Sequence, residues 1–312
     1  MGADPTRIGK ILENDRTNKM ITKLEEYPLF SVFGANGFIG TEICGDKDFI
    51  PNEPNKWDYR NKWAADYPDI VYCISTVHNY NVIDGDPLVD IQTNLQHMIT
   101  VLQANKMKYG TDFTFTLIST WFVYGDVELP AKEDVCCNPK GFYSITRRAS
   151  EQLLISYCDT FGIKWRIIRL CNVLGIGDGK VSKKRNALQY MIKTLCEGGE
   201  IDLYDVDCLR DYIHVSDATD AIRLISRKGN FSEIYNVGSG VGSSIQHLVN
   251  MAQRISEYKG KINLVAVPEF HKIVQVKDMY LDSTKLFELG WTPKFSPEKI
   301  VEILCEYYLG DK

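Results

Sequence analysis

The stretch FSVFGANGFIGTEIC, residues 30–44, decides the fold. It opens with a short apolar run that is typical of a buried strand and ends at Gly34. Gly37 and Gly40 follow at G-x-x-G-x-x-G spacing. Gly34 permits a tight turn, Gly37 lets the backbone approach a pyrophosphate, and Gly40 allows close packing of helix on strand. The helix N-terminus then offers free N–H groups to phosphates. The stretch predicts a dinucleotide-binding turn, and a glycine-rich turn kept for packing is the alternative.

Strand patterns alternate with helix patterns after this turn. Further strands are predicted at 69–75, 113–119 and 165–170, and amphipathic helices at 90–105 and 145–162. Alternation of this kind indicates βαβ units. The predicted fold class is therefore α/β, a Rossmann-type doubly wound parallel sheet.

The chain divides into three predicted parts. Residues 1–26 form an N-terminal helical extension, because apolar residues recur at helical spacing in 5–26. Residues 27–170 form the NAD(P)-binding Rossmann domain. Residues 171–312, with more irregular patterns and several glycine-rich turns, form a smaller, mostly substrate-binding region from which some segments return to the sheet.

Composition excludes several classes of protein. The net charge of −5 over 312 residues argues against nucleic-acid binding. Nine scattered cysteines without a C-x-x-C pair favour free thiols in a reducing, cytoplasmic compartment over a disulfide framework or a metal site. The charged N-terminus shows no signal-peptide pattern. No run approaches the roughly 18 apolar residues of a membrane span, so no membrane partner is expected.

The segment after the glycine turn should hold the adenosine ribose. An acidic residue is expected about 20 positions on, but the chain is compressed here. Glu53 and Asn52 are candidates for the ribose, and Asp58 for the ribose or the adenine; a plain surface carboxylate is the alternative for Glu53. No arginine stands ready for a 2′-phosphate, which favours NAD over NADP.

Two further segments carry a family resemblance. TLISTWFVYGD (116–126) and FYSITRRASEQL (142–153), together with the glycine turn, resemble the extended short-chain dehydrogenase/reductases, the NAD-dependent epimerase/dehydratase family. The family's Y-x-x-x-K motif is matched at Tyr143, but Arg147 occupies the lysine position. Its S-[ST]-x-x-V-Y-G motif is matched by Ser119, Thr120, Val123, Tyr124 and Gly125.

The resemblance extends over nearly all of the chain from residue 29. The segments at 169–177, 209–217, 233–240 and 281–294 also fit the family pattern. It implies an enzyme that modifies a nucleotide-diphosphate sugar. It also implies a homodimer formed by a four-helix bundle, to which the two amphipathic helices would contribute.

The catalytic residues implied by the resemblance are Tyr143, Thr120 and Arg147. Tyr143 would be the acid–base group, and its pKa, near 10 in water, must be lowered to work at neutral pH. Thr120 would hydrogen-bond the reacting oxygen; the alternative is a hydroxyl that caps local backbone. Arg147 would anchor the nicotinamide ribose and stabilise the phenolate.

Arginine is not a neutral exchange for lysine, because its guanidinium is larger and planar. Three interpretations of Arg147 stay open at this point. The enzyme works with Arg147 in the lysine role, it works weakly, or the protein binds nucleotides without turnover.

A second departure narrows the reaction. The family's 4,6-dehydratases and UDP-glucuronate decarboxylases have a carboxylate just after the catalytic Ser/Thr, where this chain has Trp121 and Phe122. Neither side chain moves a proton, so epimerisation through transient oxidation of a sugar hydroxyl is favoured. The alternatives are a 4-keto nucleotide-sugar reductase and a nucleotide-binding protein with a disabled site.

Further contacts complete the predicted site. Asn94 is expected to hold local backbone, His214 to be structural and Arg148 to be solvated. Arg210 and Lys272 are expected to meet the substrate pyrophosphate, and a surface ion pair is the alternative for Lys272. Cofactor contacts are expected from Gly34, Asn36, Gly37, Phe38, Ile39, Gly40, Asp58, Ile74, Ser75, Thr76, Asn94, Tyr143 and Arg147. Substrate contacts are expected from Thr120, Trp121, His78, Asn172, Arg210 and Lys272, and a plain core position is the alternative for Trp121.

Overall fold

The computed structural model describes residues 28–53, 62–182 and 184–310. The predicted helix at 5–26 and the candidate Asp58 lie outside these ranges. The strands within them are β1 (Phe30–Phe33), β2 (Phe49–Pro51), β3 (Asp69–Tyr72), β4 (Thr114–Thr120), β5 (Lys164–Leu170), β6 (Asn172–Leu174), β7 (Glu200–Tyr204), β8 (Leu209–Arg210), β9 (Tyr212–His214), β10 (Glu233–Val237), β11 (Ser243–Ser244) and β12 (Lys261–Val265).

The helices flank these strands. They are α1 (Phe38–Ile43), α2 (Asn81–Asp84), α3 (Leu88–Ile91), α4 (His97–Tyr109), α5 (Phe142–Phe161), α6 (Ala187–Cys196), α7 (Val215–Lys228), α8 (Ile245–Ile255), α9 (Glu269–Val274), α10 (Thr284–Glu288) and α11 (Pro297–Gly310). A π-helical turn, Gln92–Gln96, joins α3 to α4. Helices predicted at 90–105 and 145–162 therefore correspond to the α3–α4 run and to α5.

Six of the strands form one parallel sheet in the order β10-β5-β4-β3-β1-β2. This confirms the predicted Rossmann-type fold class. Strand β10 comes from beyond residue 170 and pairs with β5. All six strands end at one edge, where such sheets bind ligands.

The two faces of this sheet bury separate apolar cores. Side chains alternate between the faces along each strand: Ile118 and Ile168 belong to one cluster, and Leu117 and Ile167 to the other. Each fully buried aliphatic side chain of this size contributes about 1.5–3 kcal/mol. The sheet is thus covered on both sides, as a parallel sheet requires.

A third core lies in the C-terminal region. Helices α6, α8 and α11 pack together there around buried residues such as Ile192 and Leu304. Short strand pairs accompany them: β12 with β7, β11 with β8, and β9 with β6. None of the helices within the described ranges is both long and apolar enough to cross a membrane.

Candidate active site

The glycine turn between β1 and α1 admits no larger side chain at two positions. Gly34 has φ +87°, and a Cβ on Gly40 would lie 2.1 Å from the carbonyl oxygen of Gly34. The Gly37 amide donates to that same oxygen at 3.0 Å. Backbone N–H groups at the start of α1 can therefore come close to a phosphate. Asn36 and Gly37 are exposed, and Phe38 and Ile39 are half-buried.

The residues after β2 include Asn52 and Glu53, two of the candidates for contact with the adenosine ribose. Asn52 is buried, and its Oδ1 accepts the Asp66 amide at 2.9 Å. Its side chain holds local backbone through Oδ1, and the ribose contact of Asn52 stays a prediction. Glu53 is exposed and stays a candidate.

The segment Ile74–Thr76 follows β3 at the same sheet edge. Asn94 fixes it, because its Oδ1 accepts the Thr76 amide at 2.9 Å and its Nδ2 donates to the Thr76 hydroxyl at 2.8 Å. The same Nδ2 lies 3.0 Å from the hydroxyl of Thr146 on α5. Asn94 is fully buried. It therefore ties this segment to the helix that carries Tyr143.

Tyr143 stands in the first turn of α5, buried at the sheet edge. The Ser144 hydroxyl accepts the Gly141 amide at 2.8 Å, and Asn79 Oδ1 accepts the Ser144 amide at 3.4 Å, which fix the start of the helix. Burial raises the pKa of Tyr143 above 10, against the Arg147 charge and hydrogen bonding to Thr120 and Ser75, which lower it. The phenol is thus surrounded by one cation and two hydroxyls.

Arg147 lies one helical turn further along α5 and is 1% exposed. One guanidinium nitrogen, Nη2, donates to the carbonyl oxygen of Ile118. Its Nε and Nη1 have no hydrogen-bond partner among the described residues. A buried donor without a partner costs on the order of 1–3 kcal/mol. Two free donors beside Tyr143 suit the hydroxyls of a nicotinamide ribose, so the site fits the cofactor that the resemblance implies.

Thr120 ends β4 and shows both of the geometries considered for it. Its hydroxyl accepts the Phe122 amide at 3.4 Å, which caps local backbone. The same hydroxyl lowers the pKa of Tyr143 through a hydrogen bond. The Phe122 amide therefore fixes the Thr120 hydroxyl in a position close to the phenol of Tyr143.

Comparison with known proteins identifies the family of this chain. The model of the NAD dependent epimerase/dehydratase family matches residues 55–238. The low-salt glycan biosynthesis protein Agl12 of Haloferax volcanii is 30% identical over 252 residues, 80% of this chain and 77% of that protein. This chain belongs to the NAD-dependent epimerase/dehydratase family. It is therefore an enzyme of that family.

Other relatives of this family member differ in activity. The GDP-6-deoxy-D-mannose reductase of Pseudomonas aeruginosa is 27% identical, covering 68% of this chain and 70% of the relative. The UDP-glucose 4-epimerase of Azospirillum brasilense is 30% identical, covering 54% of this chain and 53% of the relative. Epimerases and reductases thus both resemble the chain at low identity.

Solved structures show the same fold. RMD from Pseudomonas aeruginosa, complexed with NADPH, superposes with a TM-score of 0.78 at 20% identity over 92% of this chain and 99% of that one. The UDP-glucose 4-epimerase of Thermotoga maritima, with UDP-glucose, gives a TM-score of 0.77 at 21% identity over 89% and 98%.

Within this family member, the aromatic pair after Thr120 divides into two roles. Trp121 is 5% exposed and belongs to the core, and its Nε1 donates to Asn172 Oδ1 at 3.3 Å. Phe122 stacks on it with ring centroids 3.8 Å apart and meets the Tyr143 ring edge-on at 5.8 Å. Trp121 is thus a core side chain, and Phe122 is the ring beside the phenol, a role the sequence analysis missed.

The residues predicted to meet the substrate pyrophosphate lie in different environments. Arg210 is buried over the Trp121 ring, and its guanidinium donates to the carbonyls of Leu209, Lys277 and Val276. These bonds use three of the five guanidinium N–H groups. Lys272 is exposed and pairs with Glu269 at 3.1 Å, which matches the surface ion-pair alternative.

Three histidines are held by hydrogen bonds, two of them to residues close in sequence and one to residues far away in sequence. His78 Nδ1 accepts the Tyr80 amide at 3.2 Å. His214 caps α7, with its Nδ1 2.7 Å from the Ser216 hydroxyl, as a structural residue would. His271, which carried no predicted role, bridges the hydroxyls of Tyr80 and Tyr204. Burial lowers the pKa of both His214 and His271.

A buried ion pair between α5 and β5 holds the end of β4 that carries Thr120. Glu151 on α5 accepts Arg169 Nη2 at 2.9 Å and the Ser119 hydroxyl at 2.5 Å. Arg148 also donates to Glu151, at 2.8 Å. Arg148, predicted to be solvated, is thus half-buried and also ion-paired. This network fixes β4 to α5, one residue before Thr120.

Proposed function

We propose that this enzyme is an NAD-dependent epimerase that acts on a nucleotide-diphosphate sugar by transient oxidation of a sugar hydroxyl. One observation carries the proposal. The buried phenol of Tyr143 lies among Thr120, Ser75 and the Arg147 guanidinium, at the sheet edge that also carries the glycine turn.

The chain's residues supply the acid–base half of this reaction. Tyr143, as phenolate, accepts the proton of the sugar hydroxyl, and as phenol it returns the proton after the sugar has turned. Thr120 hydrogen-bonds the reacting oxygen, and Arg147 lowers the pKa of Tyr143 against burial. The nicotinamide group, when bound, supplies reversible hydride acceptance at the same carbon.

The cofactor would lie along the sheet edge. The glycine turn with Asn36, Phe38 and Ile39 would hold the pyrophosphate, and the segment Ile74–Thr76, placed by Asn94, would lie beside the nicotinamide. Arg147 Nε and Nη1 would hold the ribose hydroxyls. We propose NAD rather than NADP, because β2 is followed by Asn52 and Glu53 with no arginine beside them.

The two side chains that follow Thr120 favour epimerisation over dehydration. Trp121 and Phe122 stand where the dehydratases carry an acid, and Phe122 lies against the Tyr143 ring. Asn172, Arg210 and His78 are the proposed contacts of the nucleotide-sugar. Lys272 would have to leave Glu269 to join them.

A 4-keto nucleotide-sugar reductase is the second candidate. Burial keeps the pKa of Tyr143 above its ordinary value, which favours the protonated phenol that a ketone reduction needs. A reductase consumes the reduced cofactor stoichiometrically, whereas an epimerase regenerates its NAD. A nucleotide-binding protein with a disabled site, suggested by Arg147, would do neither.

Mass spectrometry of the small molecules released from purified, acid-denatured protein is the first test. We expect NAD at about one per chain, followed by conversion of a UDP- or GDP-sugar to its C4 epimer without added cofactor. NADPH oxidation by a 4-keto sugar, with no retained NAD, would favour the reductase. Bound nucleotide with neither activity would favour the disabled site.

We also propose a homodimer built on α5. Ile145 and Leu153 are 50% and 41% exposed, and a spacing of eight residues puts them on one face of a helix. The neighbouring run α3 exposes Leu88 and Ile91. Apolar helix faces of this kind are typical of helix-bundle interfaces.

A further inference from the structure

Asp90, on α3, is a buried carboxylate that the proposed mechanism does not use. It is 0% exposed, and its Oδ1 accepts the Thr76 hydroxyl and, at 3.2 Å, Nδ2 of Asn81. Its Oδ2 has no hydrogen-bond partner among the described residues. A buried carboxylate is costly unless a cation or a full set of donors compensates it. A role beyond packing is therefore expected for this carboxyl group.

The contacts of Asp90 lead to the catalytic phenol. Thr76, its hydrogen-bond donor, directly follows Ser75, whose hydroxyl lies close enough to Tyr143 to lower the pKa of the phenol. Thr76 is also held by Asn94, which lies 3.0 Å from Thr146 on the helix of Tyr143. Asp90 is thus one of the residues that fix the position of the Tyr143 phenol.

We propose that Asp90 is a positioning residue of this active site, which holds the segment of Ser75 and Thr76 against Tyr143 and supplies the negative charge that offsets the permanent charge of Arg147. The proposal rests on the function proposed for Tyr143.

The charges around the phenol act in opposite directions. Arg147, from the same helix, lowers the pKa of Tyr143, and Asp90, from α3, raises it. Arg147 also interacts electrostatically with Tyr72, the last residue of β3, and with Cys73, which follows it. Burial raises the pKa of both groups, so that both are neutral. Removal of the Asp90 charge therefore lowers the pKa of Tyr143.

The test is titration of Tyr143 in Asp90→Asn. The absorbance of tyrosinate at 295 nm is followed after pH jumps, and the matching Tyr143→Phe variant is subtracted from each protein. We expect the Tyr143 transition of Asp90→Asn to move to lower pH by on the order of one unit. The control is Asp86→Asn, an equal charge change at an exposed residue four positions away, for which no shift is expected.

An unchanged or upward-shifted Tyr143 transition in Asp90→Asn would overturn the proposal. If that variant does not fold, Asp90→Thr removes the charge with a side chain of similar volume that keeps an acceptor for the Thr76 hydroxyl, and the same downward shift is expected. The titration needs no substrate and no turnover. Failure to find an epimerase substrate and failure of the Asp90 proposal therefore give different results.

Discussion

At the residue scale, the first turn of α5 places Tyr143 at the sheet edge. The Ser144 hydroxyl and Asn79 Oδ1 accept backbone amides of this turn and fix its position. Burial opposes ionisation of the phenol, and Arg147 favours it. The balance of these two effects decides whether Tyr143 acts as base or acid. Two substitutions separate the contributions of the two residues.

Tyr143→Phe should lower turnover by about 10²–10⁴-fold, because it removes the group that exchanges the proton. Retained nicotinamide cofactor should be unchanged, since the ring still packs against Phe122. Turnover is measured by chromatography of the sugar epimers, and the cofactor by mass spectrometry. Turnover close to that of the parent protein would exclude Tyr143 as the acid–base group.

Arg147→Lys should lower turnover rather than restore it. The guanidinium bonds the Ile118 carbonyl and still offers two free donors, and one ammonium cannot match that planar geometry. A lost buried hydrogen bond costs on the order of 1–3 kcal/mol, so about a tenfold loss or more is expected in initial-rate assays. A large gain would show that arginine handicaps the site.

At the element scale, the site depends on how closely α1 approaches β1. The G-x-x-G-x-x-G spacing and the apolar runs predict this unit because turn, strand and helix are local in sequence. Asn52 shows where such prediction ends. Its hydrogen-bond partner is the amide of Asp66, fourteen residues away, and no sequence pattern predicts that contact. The same applies to Arg147 and the Ile118 carbonyl.

Gly40→Ala should destabilise the fold and reduce cofactor retention. Its Cβ would lie 2.1 Å from the Gly34 carbonyl oxygen, which is backbone and cannot turn away. Overpacking of this kind costs on the order of 1–3 kcal/mol, measurable by urea unfolding. Gly179→Ala, where a Cβ meets nothing within 4 Å, is the matched control. Equal stability of the two variants would contradict the argument.

At the scale of the whole molecule, His271 links two parts of the chain that lie far apart in sequence. It bridges Tyr80, which follows the Rossmann strand β3, and Tyr204 on β7 in the C-terminal region. Prediction from sequence missed this bridge for the same reason that it missed the Asn52 contact. A contact between residues 80, 204 and 271 exists only once the fold has formed.

The bridge should weaken in acid. Burial holds the pKa of His271 below its ordinary value near 6.5, so the unfolded chain binds its proton first. The stability contributed by neutral His271 is complete above 6.5 and is lost as the pH falls from there toward the folded pKa. We expect His271→Gln to flatten the fall of Tm between pH 7 and 5. An unchanged pH slope would count against this role.

The proposed dimer gives the last prediction at this scale. Leu153→Glu adds a charge to the exposed apolar face of α5, where burial in a helix bundle would cost several kcal/mol. We expect the dimer to dissociate in light scattering with size exclusion, while the circular dichroism stays unchanged. Leu264→Glu is the matched control, because Leu264 is 68% exposed on β12, far from α5 in sequence. If both variants keep the mass of the parent dimer, α5 is not the interface. If the parent protein is monomeric, the exposed face of α5 requires another explanation, and its apolar residues become candidates for contact with a different protein.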